Sequence, residues 1–193
     1  MCPLRPSCAV STVTEQTPSK GHQMTVLRVD ASIRHEGSVS RALTAELTSG
    51  QEVVHRDLAA MRGLADAWQD VVLGGAATLV TTLADEVFAA DAIVVGAPVY
   101  DFGIPVALKA WLGLLIADPR LNPRGGLGTA LAGKPVALAV VSGWTYEPDG
   151  PRAGWNHAVP YLRRIFADVF GADVSLHLRE GTVQKAASPQ ASV

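Results

Sequence analysis

The sequence predicts an α/β protein, a doubly wound parallel sheet of five strands with helices on both faces. Three observations carry this. Short β-rich runs alternate with helix-like stretches from residue 24 to residue 178, and such alternation belongs to parallel sheets. Two of the runs, 91–97 and 135–141, are apolar almost without a break, as a strand covered on both faces must be. Cysteine is confined to Cys2 and Cys8, so no disulfide framework, zinc site or thiol nucleophile is expected in the body of the chain.

The elements follow in order. Thr25 to Asp30 opens the domain as a β-rich run. Ser38 can cap a helix carrying Val39, Leu43 and Leu47 at i, i+4 and i+8, with Gly50 as its stop. Gln51 to Arg56 is the second strand, Asp91 to Ala97 the third and Pro135 to Val141 the fourth. Residues 79–90 place Leu79, Leu83, Val87 and Ala90 on one helical face. Pro105 suits a first helical position, and the helix from Val106 to Ala117 is apolar nearly all round, which predicts burial on two sides. A helix over 156–170 turns Leu162, Ile165, Phe166 and Phe170 inward, and Asp173 to Leu178 alternates as an edge strand does. Five strands of this kind suggest the flavodoxin-like order 2-1-3-4-5.

Length and composition agree with one domain. The chain has 193 residues, 48% hydrophobic and 18% charged, enough to bury a full core. The net charge of −2 argues against a nucleic-acid partner, which favours a basic stripe. No apolar run approaches the roughly 18 residues of a spanning helix, so no membrane association is expected. The start carries no apolar signal-peptide core, and the cytoplasm is the expected location. Residues 1–23, with Pro3, Pro6 and Pro18 and no periodicity, read as a disordered tail, with Met24 a possible start. The domain spans 24–183, and 184–193 reads as a frayed end.

In open α/β sheets, ligands bind beyond the carboxyl ends of the strands, near the switch point. The loop after the first strand, Ala31 to Ser40, lacks both G-x-G-x-x-G and G-x-x-x-x-G-K-[ST]. It offers instead Ser32, Ser38 and Ser40 and the free amides of a helix start, chemistry suited to a phosphate monoester. The alternative is that Ser38 only caps its helix. The loop after the third strand, Gly96 to Pro105, sets Tyr100 and Phe102 among glycines beside a buried strand. It can form a slot for a flat ring, or a tight turn whose aromatics plug the core.

Together these loops resemble a known family. Ser32 with Ser38-Val39-Ser40, and Ala97-Pro98-Val99-Tyr100-Asp101-Phe102-Gly103-Ile104-Pro105 followed by Leu108-Lys109, look like the FMN-dependent azoreductases, which are flavodoxin-like NAD(P)H:quinone oxidoreductases. The likeness extends through Gly125-Gly126-Leu127, Gly133-Lys134, Asp149-Gly150-Pro151, Pro160-Tyr161-Leu162 and Glu180-Gly181, and covers residues 24 to about 182. It implies a homodimer binding FMN without a covalent bond. Ser32 and Ser38, Val39 and Ser40 then hold the phosphate. Pro98, Val99, Tyr100, Asp101 and Phe102 line the ring, and the Ser142-Gly143-Trp144-Thr145 loop meets its pyrimidine edge. The implied mechanism is ping-pong: NAD(P)H reduces the flavin at N5 and leaves, and a quinone or azo compound, a small aromatic substrate, takes the hydride. The flavin carries that chemistry, so no catalytic side chain or metal is implied.

The chain departs from the family pattern at four places. Asp101 stands where Asn is usual. Trp144-Thr145 replaces adjacent glycines. Segment 59–78, which helps shape the substrate mouth, looks shorter, and the long terminal helix after the fifth strand is missing. Two further readings stay open: a flavoenzyme tailoring a specific aromatic or polycyclic metabolite, and a flavodoxin-like electron carrier without a substrate. The small net charge speaks against the carrier.

The remaining candidates read plainly. His55 and His177 are strand residues and His35 a solvated loop residue. Trp155 is read as packing, and Arg163-Arg164 as a solvated helix face. Trp144 and Tyr146 are large aromatics in a strand-end loop and need a reason to be there. Asp66 and Asp70 sit at i, i+4 but apart from Asp85 and Glu86, so no metal cluster is expected.

Overall fold

The computed structural model describes residues 24–122 and 128–183. The expected tails at 1–23 and 184–193 and the Gly125-Gly126-Leu127 stretch lie outside these residues. Five parallel strands form one sheet: β1 (Thr25–Asp30), β2 (Glu52–Asp57), β3 (Ala92–Pro98), β4 (Pro135–Val141) and β5 (Asp173–Arg179). The spatial order is β2-β1-β3-β4-β5, the predicted flavodoxin-like one, with the chain reversing direction across the sheet between β1 and β3.

Among the described residues five α-helices cover the sheet: α1 (Val39–Leu47), α2 (Leu64–Val72), α3 (Thr78–Ala89), α4 (Val106–Ala117) and α5 (Ala158–Arg163). Ser38 caps α1, its side chain accepting from the Arg41 amide. Gly96 in β3 lets α1 lie close to the sheet. A Cβ there would stand 2.8 Å from both Asp30 Oδ1 and Thr44 Cγ2. The N-terminus of α1 is thereby held over the ends of β1 and β3.

Three sequence expectations need correction. Helix α2 lies within 59–78, where no helix was expected. It starts at Gly63 with no side-chain cap, so no capping signal announces it; Leu64, Trp68, Val71 and Val72 do share one helical face, although only Leu64 is fully buried. Pro105 precedes α4 as its N-cap rather than starting it. The 156–170 helix begins at Ala158 and passes into a π-helical stretch, Arg164–Val169. The Phe170 amide reaches back to the Ile165 carbonyl at 3.0 Å. That extra residue leaves the apolar spacing intact, so periodicity cannot reveal it.

The apolar helix α4 is buried, as predicted, and this chain supplies much of the cover. Leu108, Trp111, Leu112, Leu114 and Leu115 join the main core, and α2 and α3 pack on α4. At the α2–α4 crossing a Cβ on Gly113 would meet Trp68 Nε1 at 2.6 Å, so glycine is what allows the close approach. A second copy is therefore not needed to keep α4 dry. The apolar side chains left outside are Trp68, Val72 and Leu73 at the α2 end and Val106 at the start of α4. Among the described residues no helix is long and apolar enough to cross a membrane.

Candidate functional site: two clefts at the strand ends

Two clefts open where the switch point places them. The narrower, about 350 Å³, is lined by the first loop (Ser32, Ile33, Arg34, Gly37, Ser38, Val39, Ser40), the end of β3 (Pro98, Val99, Tyr100), the end of β4 (Val141, Ser142, Gly143, Trp144) and Thr182-Val183. The wider, about 680 Å³, lies beside it, and Ile33 and Tyr100 line both.

The first loop is a preformed polar cradle. Ser32, Ser38 and Ser40 are all buried. Ser38 Oγ and Ser40 Oγ are 3.3 Å apart and share a hydrogen bond. Ser32 Oγ accepts from the Arg34 amide at 3.2 Å. The first turn of α1 carries no acidic residue, so no carboxylate of its own meets the positive end of the helix dipole. Arg34 adds a cation on the rim.

Arg41 shapes this loop from behind. Its guanidinium donates to the carbonyls of Ser32 (2.7 Å) and Arg34 (2.9 Å), and forks onto both oxygens of Asp57 at 2.7 and 3.0 Å. Burial alone would raise the Asp57 carboxyl. The Arg41 hydrogen bonds and charge, the Ala59 amide and His35 outweigh it and leave Asp57 below its ordinary value. Hydrogen bonding to Asp57 raises Arg41 against the opposing cost of burial. Deeper, Asp30 is buried and accepts from Thr44 Oγ1 (2.7 Å) and meets His55 Nε2 at 2.8 Å. His55 is thus more than a plain strand residue.

The third-strand loop folds as a tight turn. Tyr100 and Gly103 exchange both backbone hydrogen bonds, at 3.0 and 2.8 Å, and the central Asp101 and Phe102 both have positive φ, +48° and +64°. Two left-handed central residues mark a type I′ turn. Phe is a strained occupant there. The pairing leaves the amides of Asp101 and Phe102 outside the turn. The Tyr100 hydroxyl reaches back to the first loop, 3.4 Å from Ser32 Oγ and accepting from the Ile33 amide at 3.3 Å. One phenol therefore ties the serine cradle to the strand-end turn.

The fourth-strand loop is pinned to the chain beyond β5. The Ser142 amide donates to Arg179 O, and its carbonyl accepts from the Thr182 amide and hydroxyl. Its hydroxyl donates to Trp144 O at 2.6 Å. Trp144 is half-exposed at the mouth, with the Arg152 guanidinium 3.9 Å from its ring centre.

Ten predicted residues meet in the narrower cleft: Ser32, Ser38, Val39, Ser40, Pro98, Val99, Tyr100, Ser142, Gly143 and Trp144. Three do not line it. Asp101 lines the wider cleft. Phe102 packs edge-on against Trp155, ring centres 5.4 Å apart, because the turn carries it past the cleft. Thr145 falls beyond Trp144. Tyr146 is also outside, its amide on Glu180. Thr182 and Val183 were missed. Glu180-Gly181 marked that stretch, but nothing in it signalled a wall.

A family model described as flavodoxin-like fold matches residues 24–192. An FMN-dependent NADH:quinone oxidoreductase of Kineococcus radiotolerans is 36% identical over 168 residues, 77% of this chain and 79% of the relative. One of Sinorhizobium fredii is 38% identical over 179 residues, 82% and 86% of the two chains. An azoreductase structure from Bacillus anthracis superposes with a TM-score of 0.65 at 24% identity, covering 84% of this chain and 89% of that one. At that identity the likeness speaks for the fold. The strand order, the serine cradle at the switch point and these matches together make the chain a member of the flavodoxin-like family that contains the FMN-dependent NADH:quinone oxidoreductases.

Proposed function

We propose that the narrower cleft seats FMN and that the protein is an FMN-dependent oxidoreductase, passing a hydride from NAD(P)H to quinone-like or azo aromatic acceptors in a ping-pong sequence. The observation that carries this is the buried serine cradle at the start of α1, joined through the Tyr100 hydroxyl to the strand-end turn. The donor set fits the group. Three serine hydroxyls, the free amides of a helix start and Arg34 suit a phosphate monoester, and no glycine-spaced turn is present for a pyrophosphate. Pro98, Val99, Val141 and Trp144 offer an apolar wall for a ring. The amides of Asp101 and Phe102, in the turn that follows that wall, have no hydrogen-bond partner among the described residues. When bound, FMN supplies hydride acceptance and donation at its ring. The chain's part is to fix the phosphate, hold the ring edge and keep its mouth open to one flat partner at a time. Cofactor released by heat should have the mass of FMN, and the purified protein should oxidise NADH when menadione is added. Release of FAD, or of no flavin, contradicts this reading.

The Tyr100 hydroxyl supports the cradle without belonging to it. Tyr100→Phe should weaken FMN binding by about three- to tenfold, the loss of one or two neutral hydrogen bonds. Riboflavin, which lacks the phosphate, should bind the two proteins alike. Titration followed by flavin fluorescence measures both.

The reading includes a homodimer and a cytoplasmic location. Trp68, Val72, Leu73 and Val106 are exposed apolar side chains, and Trp68 and Val106 line one groove between α2 and α4; exposed apolar surface marks interfaces. Light scattering at micromolar concentration should give twice the chain mass, and a monomer would contradict the dimer.

A further inference from the structure

The strand-end turn carries a residue that its geometry disfavours. A two-residue turn with both central residues at positive φ is made most readily by Asp-Gly or Asn-Gly. This chain sets Asp101-Phe102 there, at φ of +48° and +64°. A phenylalanine in the left-handed region is strained, and it stays there only where its surroundings over-determine it. Those surroundings come from the segment between β4 and α5. The Trp155 ring meets the Phe102 ring edge-on, with centres 5.4 Å apart and planes at 88°. The His157 amide donates to the Phe102 carbonyl at 2.9 Å. The strained residue is thus gripped by both its side chain and its backbone. The grip is itself fixed. The Trp155 amide donates to Arg152 O at 3.1 Å, the Ala153 amide to Gly150 O and the Gly150 amide to Glu147 O, both at 3.0 Å. Asn156 Oδ1 accepts from the Ala158 and Val159 amides at 3.1 and 3.2 Å, which locks the start of α5, and Ala158 and Leu162 seat that helix in the interior. Phe102 and Trp155 are 39% and 49% exposed, so their contact is not there to fill the core. Neither ring lines either cleft.

We propose that Trp155 is a positioning residue for the flavin ring: it holds Phe102 in its strained conformation and so keeps the turn's free amides, those of Asp101 and Phe102, set for the ring edge. This rests on the reading that FMN occupies the narrower cleft. The direction of an amide follows from the dihedrals on either side of it. A turn that relaxes toward negative φ at its two central residues rotates both of their peptide planes. Phenylalanine supplies what glycine cannot, a side chain by which the neighbouring segment sets the turn. A seat fixed before the ligand arrives binds it more tightly than one that must be ordered on binding. Trp155 touches neither the cleft nor its contents and acts only through Phe102.

Two readouts test this. Amide hydrogen exchange of the flavin-free protein, followed by NMR, reports on the turn, and titration with riboflavin and FMN reports on the ring seat. The wild type is compared with Trp155→Ala, Trp155→Phe, Phe102→Gly and Phe102→Gly combined with Trp155→Ala. In Trp155→Ala, exchange of the Tyr100 and Gly103 amides, which close the turn, should quicken about three- to tenfold, the loss of one aromatic pair. The affinities for riboflavin and FMN should fall together, by about threefold or more, because the phosphate cradle is untouched and the competent turn is less populated. Trp155→Phe should retain most of both. Glycine enters the left-handed region freely, so Phe102→Gly should make Trp155 dispensable: adding Trp155→Ala to it should change neither readout. Unchanged exchange or unchanged riboflavin affinity in Trp155→Ala overturns the proposal, as does a combined variant that binds riboflavin more weakly than Phe102→Gly alone. If exchange quickens as expected but the wild type binds neither flavin, the brace on the turn stands and the FMN reading falls.

Discussion

Arg41→Leu should destabilise the protein by about 3 kcal/mol and weaken FMN binding by at least tenfold. The side chain is 13% exposed and its partner Asp57 21%, so the substitution leaves a half-buried carboxylate without its fork of hydrogen bonds. Breaking one side of such a pair costs about 3–5 kcal/mol when fully buried, and the residual exposure puts this one at the lower end. The same change frees the carbonyls of Ser32 and Arg34, so the serine cradle loses its shape. Replacing Asp57 by Leu as well removes the orphaned charge and should recover part of the stability but none of the affinity. Urea unfolding and FMN titration of the three variants separate the two effects. The pair also fixes a pH dependence. Asp57 is held below its ordinary value, so its contribution is complete above the unfolded carboxylate pKa of about 4 and is lost as pH falls through the lower folded value. The wild type should therefore lose stability more steeply than Arg41→Leu below about pH 4.

Asp101→Asn should raise the two-electron potential of the bound flavin by tens of millivolts. Asp101 follows directly on the Val99–Tyr100 wall of the narrower cleft. Its carboxylate has no hydrogen-bond partner among the described residues, and α4 shows no side-chain cap. The alternative, that Asp101 turns outward to cap that helix, is thus not what the structure contains. Reduction makes the flavin more negative, and a nearby carboxylate opposes it; charge near the ring is one of the protein's levers on flavin electronics. For two electrons about 30 mV corresponds to roughly 1.4 kcal/mol. Asn tolerates the positive φ of this position as well as Asp does, so stability should be unchanged. Spectroelectrochemistry on the two proteins decides, and an unchanged or lowered potential contradicts the electrostatic role.

The strands were legible because burial on both faces demands continuous apolar runs, and β3 and β4 have them. The serine loop and the A-P-x-Y-D-F-x-I-P block were legible as local strings. What was not legible is what joins distant positions. Arg41 and Asp57 are 16 residues apart and Tyr100 and Ser32 are 68 apart, and no periodicity links them. Proximity in sequence to Tyr100 does not say which cleft a turn residue faces: Asp101 lines the adjoining cleft and Phe102 packs on Trp155. Thr182 and Val183 became a wall only because the chain after β5 bonds back to Ser142 and Gly143.

The central claim is that the cradle at the start of α1 holds a phosphate monoester while the ends of β3 and β4 hold a ring. Equilibrium titration of the flavin-free protein with FMN, riboflavin and FAD tests it most directly. FMN should bind at least about a hundredfold more tightly than riboflavin, the difference expected of several charge-assisted hydrogen bonds of about 1.5–3 kcal/mol each, and FAD should bind more weakly than FMN. Equal affinities for FMN and riboflavin would contradict it.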